Sequence, residues 1–245
     1  MTMSDVHDAQ LALACLDYTR LQEHDSEDAM CQFVAQINTA YALPAALCVY
    51  PQWLQLTRRE LNNRNLQQVP LATVTNFPTG DEDLATVLAQ TREALQLGAN
   101  EIDLVLPYRA LQQGDEQKAL EYVCQSRELC ANKAKLKVII ESGELSLSQV
   151  RIASRIAIAG GADFIKTSTG KVAINATPEA VAVIFDEVAH GERAVGVKVS
   201  GGVKNLSQAQ LYLDMAVNTM GGAWLTPFNF RFGASSLLGE LYNVL

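Results

Sequence analysis

Short runs of apolar and β-branched residues recur along the chain, each followed by a longer stretch whose apolar positions repeat at helical spacing. The runs are ALACLDYT (12–19), ALCVYP (46–51), LATVTNF (71–77), EIDLVLP (101–107), KLKVIIES (135–142), DFIKTST (163–169), AVGVKVS (194–200) and FRFGASS (230–236). Several are apolar on both faces, as suits strands of a parallel sheet covered on each side. Neighbouring runs begin roughly 25–35 residues apart, which is one strand with its crossover helix and loops. Eight such units predict an α/β chain folded as a (β/α)8 TIM barrel. The open, doubly wound sheet is the alternative architecture, because ALACLDYT could equally continue an N-terminal helix.

The intervening stretches carry helix punctuation. DEDLATVLAQTREALQLGA (81–99) places Asp81 and Glu82 in its opening turn and Gly98 as a stop. TPEAVAVIFDEVAH (177–190) offers Thr177 as N-cap and Pro178 at the first helical position. An extra helical segment near the N-terminus, SEDAMCQFVAQIN (26–38), precedes the second strand. No Ser/Pro/Gly-rich linker or break in composition divides the chain, so residues 1–245 are expected to form one domain.

Composition narrows the partners. The formal net charge of −8 disfavours a nucleic-acid binder, which needs a basic face to neutralise phosphates. No stretch approaches the roughly 20 apolar residues of a membrane span, and the acidic N-terminus is not a secretory signal. Cys15, Cys31, Cys48, Cys124 and Cys130 are odd in number and scattered, pointing to reduced thiols in the cytoplasm. Cys48 could face the catalytic end, although small buried thiols are more often core fillers. His7, His24 and His190 stand singly, and no cluster has the spacing of a catalytic zinc site, so no metal is expected.

Charges in apolar strands are the informative exception. Lys166 lies in DFIKTST and Lys198 in VGVKVS, near the C-terminal ends where this fold keeps its chemistry. A buried ammonium either pairs with a carboxylate or has its pKa depressed. A single such lysine is more readily read as an interior ion-pair member with no chemical task. Two at similar heights on adjacent strands, about 4.8 Å apart, resist simultaneous protonation and leave one amine neutral. A neutral amine is the nucleophile that imine formation requires. Asp103 in EIDLVLP supplies a carboxylate for the same region if it points inward. Asp17 in CLDYT is a second candidate, or a loop acid. Lys137, near the start of KLKVIIES, is expected toward the opposite, stability face and is read as structural.

Glycine- and hydroxyl-rich turns follow the last three strands: STGK (168–171), SGGV (200–203) and GASS (233–236). Glycines let backbone N–H groups approach an anion, and Ser235 and Ser236 would open the final helix. Loops after the seventh and eighth strands are the recurrent phosphate grip of a barrel. STGK lacks the leading glycine of a P-loop, since Lys166 stands in that place, so a nucleotide site is not expected.

With TVTNFP (73–78), EIDLVLPYRAL (101–111), LKVIIESGEL (136–145), GADFIKTSTGKVAINATPEA (161–180), VGVKVSGG (195–202) and RFGASS (231–236), the chain resembles the deoxyribose-phosphate aldolase family over essentially its whole length. The resemblance implies a class I aldolase, free of metal and cofactor, acting in deoxyribonucleotide catabolism. Such an enzyme splits 2-deoxy-D-ribose 5-phosphate reversibly into acetaldehyde and D-glyceraldehyde 3-phosphate. It implies Lys166 as the Schiff-base lysine, Lys198 as the lysine that perturbs it, and Asp103 in the proton relay. Gly170, Lys171, Gly201, Gly202, Ser235 and Ser236 fall where the family holds phosphate. A homodimer is implied as well. Some members carry a C-terminal tail ending in a tyrosine that assists proton transfer. Here Tyr242 falls within the expected last helix, and the tail's role does not transfer to it. An imine-forming aldolase for a larger ketose phosphate and a catalytically silent phosphosugar-binding barrel are the competing functions.

Overall fold

The apolar runs are strands because each buries both faces. All residues of Leu71–Thr75, Glu101–Val105 and Gly196–Ser200 are buried, with β-branched side chains dominating. The structure, a computed structural model, describes residues 3–245. Its strands are β1 (Leu16–Arg20), β2 (Ala46–Val49), β3 (Leu71–Thr75), β4 (Glu101–Val105), β5 (Lys135–Ile139), β6 (Phe164–Lys166), β7 (Gly196–Ser200) and β8 (Phe230–Ala234). They close in sequence order into a parallel barrel, with β8 pairing back onto β1. Closure excludes the open doubly wound sheet.

The helices are α1 (Met3–Ala14), α2 (Glu27–Ala35), α3 (Leu54–Asn63), α4 (Leu84–Gln96), α5 (Tyr108–Gln112), α6 (Glu116–Cys130), α7 (Leu147–Ala159), α8 (Pro178–His190), α9 (Leu206–Met220) and α10 (Leu237–Tyr242). Thr177 caps α8 as expected, its hydroxyl accepting from the Ala180 N–H, with Pro178 following. Ser26 caps α2 in the same way through Ala29. Helix α4 starts later than its acidic run suggests. Asp83 is the residue that accepts from an N–H of the first turn, so Asp81 and Glu82 lie outside the helix.

The first strand needs a correction. Ala12–Ala14 belong to α1, and the strand runs from Leu16 to Arg20. Ala9, Ala12 and Leu13 form the buried face of α1, which packs on α9 and α10. The helix therefore runs into β1 through an unbroken apolar stretch, where no polar residue marks the boundary.

Inside the barrel, small apolar residues and charges occupy different sectors. Ala46, Cys48, Ala72 and Val74 from β2 and β3 form a small cluster of their own, apart from the large core between strands and helices. The remaining six strands contribute the buried ionisable groups Asp17, Glu101, Asp103, Lys137, Lys166, Lys198 and Arg231. Tyr242, at the end of α10, stacks on Tyr41 and accepts from the Asn38 N–H at 3.0 Å. Its hydroxyl is thus engaged in fastening the N-terminal segment.

Among the described residues, no helix is long and apolar enough to cross a membrane. Thr177→Ala is expected to cost about 1 kcal/mol of stability, the usual loss of an N-cap hydroxyl. Thermal unfolding should register that as a drop of roughly 2–4 °C for a chain of this size.

Candidate active site

Lys166 is the last residue of β6, in register with Lys198 of β7 and Ile139 of β5. The two lysines therefore stand at one height on neighbouring strands, as the sequence suggests. Both amines donate to the same oxygen, Oδ2 of Asp103, Lys166 at 2.9 Å and Lys198 at 2.8 Å. Asp17 is part of the same network, its Oδ2 lying 2.5 Å from Lys198 Nζ and its Oδ1 2.5 Å from Arg231 Nη1. All four candidates drawn from the strands are thus brought together.

Lys137 departs from expectation. It sits lower on its strand, in register with Asp103 and Phe164. Its amine nevertheless enters the network, 2.8 Å from Asp103 Oδ1, 2.6 Å from Glu101 Oε2 and 3.2 Å from Asp17 Oδ2. Arg231 closes the floor by pairing with Glu101 and stacking over the Phe164 ring.

Partners and burial decide which amine releases its proton most readily. Among groups within ion-pairing distance of one another, four basic side chains, Lys137, Lys166, Lys198 and Arg231, face three carboxylates, Asp17, Glu101 and Asp103, while the buried Glu141 acts on Lys166 from farther away and has its own pKa raised by burial. An uncompensated charge in such a place is costly, so one base should give up its proton. Arg231 is held protonated: burial opposes its charge, but Asp17 and Glu101 outweigh burial and raise its pKa. Burial is likewise outweighed at Lys137 by Asp103, Asp17 and Glu101, and at Lys198 by Asp103 and Asp17, so both stay above the ordinary lysine range. Among the described residues, Asp103 is the one carboxylate within ion-pairing distance of Lys166. Burial, assisted by the nearby Lys198 charge, wins there and lowers its pKa. Burial opposes the Asp103 charge, but Lys137 and the other two lysines around it hold its carboxyl well below the usual carboxylate range.

A cavity of about 360 Å³ opens above this network. Of Lys166, Lys198, Asp103 and Asp17, only Lys166 lines it. Gly170, Lys171, Gly201, Gly202, Ser235 and Ser236 all line it too, so the three predicted turns converge on one space beside the amine. Glycine at 201 is needed twice: its φ is +80°, and a Cβ would meet the Asn175 side chain at 2.5 Å. At Gly233 a Cβ would lie 2.2 Å from Ser200 Oγ and 2.9 Å from Lys198 Cε, so a bare backbone lets β8 approach the lysine stem. Lys171 donates to the Leu21 carbonyl at 2.8 Å, which holds the ammonium at the cavity wall.

Sequence reasoning missed Thr19, Ser200, Asn175 and Lys204, which share this wall. Thr19 and Ser200 had a signal, since each stands two residues beyond an inward-facing site residue and strand side chains alternate. Asn175 and Lys204 lie on loops, where periodicity carries none. Cys48 does face the ionic network, but burial and the Asp103 charge push its thiol up, away from a reactive thiolate.

A larger groove of about 700 Å³ lies outside the barrel between α7 and α8. Its charges pair with one another, as Arg151 with Asp186 at 2.8 Å and Arg155 with Glu187 at 2.7 Å. It has no counterpart to the buried amine. Among the described residues, no group of three or more His, Cys, Asp or Glu side chains is arranged to hold a metal ion.

A sequence model described as DeoC/LacD family aldolase matches residues 11–240. The fold is similar to that of a Toxoplasma gondii protein provisionally assigned as a deoxyribose-phosphate aldolase: TM-score 0.88 and 24% identity, covering 99% of this chain and 98% of that one. It is similar also to the tetrameric deoxyribose phosphate aldolase of Aeropyrum pernix, with TM-score 0.77, 20% identity and coverage of 99% and 98%. An aldolase designated QR15 aligns with TM-score 0.79 and 25% identity, covering 95% of this chain and 96% of its own.

Asp17→Asn should destabilise the protein by roughly 3–5 kcal/mol, because it leaves Lys198 and Arg231 short of a buried counter-charge. The folded pKa of Asp17 is depressed, since the Lys137, Lys198 and Arg231 charges outweigh its burial. Its contribution is therefore present above the unfolded carboxylate pKa, about 3.9, and is lost as pH falls below it. Denaturant titrations of both proteins should differ most near pH 7, with the difference beginning to narrow near pH 4 and shrinking progressively at lower pH.

Proposed function

The chain belongs to the DeoC/LacD aldolase family, and from that premise we propose that it is a class I, metal-independent deoxyribose-phosphate aldolase working through a Schiff base on Lys166. The observation that carries this reading is the position of Lys166, a buried amine of lowered pKa that alone of the lysine–carboxylate network lines the glycine-rich cavity. The substrate is 2-deoxy-D-ribose 5-phosphate, its phosphate held by Gly170, Lys171, Gly201, Gly202, Ser235 and Ser236. The cavity volume, about 360 Å³, suits a small ligand. The deoxyribose-phosphate aldolases of similar fold support the same substrate class.

The neutral Lys166 amine adds to the C1 aldehyde of the open-chain sugar, and loss of water with uptake of one proton, supplied through Lys198, gives a protonated imine. The imine withdraws electrons as the C3 hydroxyl loses its proton and the C2–C3 bond breaks. Glyceraldehyde 3-phosphate departs, and the remaining enamine is protonated at C2 and hydrolysed to acetaldehyde. Asp103 has its oxygens occupied by ammonium groups and little affinity for a proton of its own. In the proposed relay its Oδ2, which both Lys166 and Lys198 approach, holds the two amines where a proton can pass between them. Lys198, kept charged, is the donor beside it. Asp17 fixes Lys198 from behind. Phosphate binding at the far rim supplies energy that orients the reacting bond.

The five free cysteines suit a reducing compartment, so the cytoplasm is proposed as its location. A homodimer is proposed as its assembly.

Lys166→Arg should remove both turnover of deoxyribose 5-phosphate and the adduct trapped by borohydride with acetaldehyde, because a guanidinium does not deprotonate to a nucleophile. A normal yield of trapped adduct from that variant would overturn the assignment. Lys198→Leu should act differently. It removes a charge that favours neutral Lys166 and leaves Asp103 with fewer ammonium partners, so the Lys166 pKa rises. The pH profile of adduct formation should then move to higher pH, with slower trapping near neutrality. An unmoved profile would assign Lys198 to substrate contact instead.

A further inference from the structure

Glu141 is the residue that the proposed mechanism leaves without a task. It follows β5 in a left-handed conformation, φ 53° and ψ 56°, where a side chain is disfavoured. It is also fully buried, with one carboxylate oxygen accepting the Thr169 N–H at 3.1 Å and the other without a hydrogen-bond partner among the described residues. A buried carboxylate and a left-handed glutamate are each unfavourable, and both fall on one residue.

Its neighbours show what it holds. Ile140 donates its N–H to the Lys166 carbonyl at 3.0 Å and Ser142 donates to the Thr167 carbonyl at 2.8 Å. Glu141 sits between them and reaches past both to Thr169. Thr169 in turn accepts the Lys171 N–H at 3.0 Å through its hydroxyl, and Thr169, Gly170 and Lys171 all line the cavity. Two residues on, a Cβ at Gly143 would lie 1.8 Å from the Ile174 carbonyl oxygen, so the 141–144 segment packs directly on the loop that follows Lys171.

We propose that Glu141 is a positioning residue, whose carboxylate fixes the 169–171 anion loop at a set distance from the Lys166 strand end. This deepens the aldolase reading, since it assigns the loop's geometry for the phosphate end of that substrate. The left-handed backbone turns the side chain across the end of β6, where an extended residue would continue the strand direction. The charged groups acting on Glu141 are Lys166, which favours its ionised form, and Glu144, which opposes it. Burial is stronger than either and raises its pKa.

Two variants separate reach from charge. Glu141→Asn tolerates a left-handed backbone but is one methylene too short to reach Thr169. Glu141→Gln keeps both length and an acceptor oxygen. Thermal unfolding verifies that each is folded. The measurements are kcat/KM on 2-deoxyribose 5-phosphate and on unphosphorylated 2-deoxyribose, and calorimetric binding of inorganic phosphate.

Glu141→Asn should lose roughly ten- to a hundredfold in kcat/KM on the phosphorylated sugar, as a misplaced binding loop does. It should bind inorganic phosphate correspondingly less well and keep its rate on the unphosphorylated sugar. Glu141→Gln should stay close to the unaltered protein in all three. Equal loss on both sugars, or a Gln variant as impaired as the Asn one, overturns the proposal in favour of an electrostatic effect on Lys166. Should the unaltered protein fail to cleave deoxyribose 5-phosphate, the substrate reading fails, and phosphate binding alone decides the role of Glu141. Weaker binding by the Asn variant, restored by Gln, then supports it, and equal binding overturns it.

Discussion

The carboxylate of Asp103 accepts hydrogen bonds from three lysine amines, and the electrostatics of the barrel interior depend on that sharing. Each amine is held by a different strand, so β4, β5, β6 and β7 are tied at one point as well as through their backbone ladders. Moving any one ammonium changes the proton affinity of the other two. Lys137 and Lys198 pair with further carboxylates, whereas Lys166 pairs with Asp103 and interacts with Glu141 only from beyond ion-pairing distance. The asymmetry that leaves Lys166 with the lowered pKa is therefore one of partners, since all three amines are buried.

Such a network is poorly explained as a device for stability. Replacing a buried ion pair with well-packed apolar side chains is often neutral or stabilising, because desolvation consumes much of the Coulomb gain. The β2–β3 sector shows that this barrel can fill its interior with small apolar residues, as Ala46, Cys48, Ala72 and Val74 do. The other sector keeps seven ionisable groups instead. A fold that departs from the cheaper solution on one side only, beneath a cavity, is expected where the departure serves chemistry. The proposed imine reaction gives the excess base a use.

Much of this was legible in the sequence. Buried strands have a side-chain period of two, so a lysine in an apolar run must face either the interior or the helices. Adjacent-strand register then makes Lys166 and Lys198 neighbours, and the glycine-rich turns after β6, β7 and β8 mark one rim. What escaped reading has identifiable causes. Lys137 was expected away from the site because it lies low on β5, but two residues of strand rise only about 7 Å, a span its four-carbon stem crosses. The α1–β1 boundary was misplaced because helix and strand are both apolar there. Asn175 and Glu141 lie on irregular segments, where a side chain's direction follows from local backbone angles that no periodic pattern encodes.

The path from the 169–171 loop to the Lys166 amine is short and almost entirely covalent. Lys166 ends β6, and four and five residues later Gly170 and Lys171 line the cavity. Thr167 fixes the start of that connection, its N–H donating to the Lys198 carbonyl and its hydroxyl to the Ser200 carbonyl, both at 3.0 Å. In the proposed reaction, phosphate held by this loop is thus referenced to the same strand that carries the nucleophile. A rigid connection of this kind converts remote binding energy into orientation at the reacting carbon, whereas a slack one would lower KM without helping the chemical step. The charge network and the loop then solve separate parts of one problem. In the proposed reaction, the first sets the protonation of the amine, and the second sets where the carbonyl meets it.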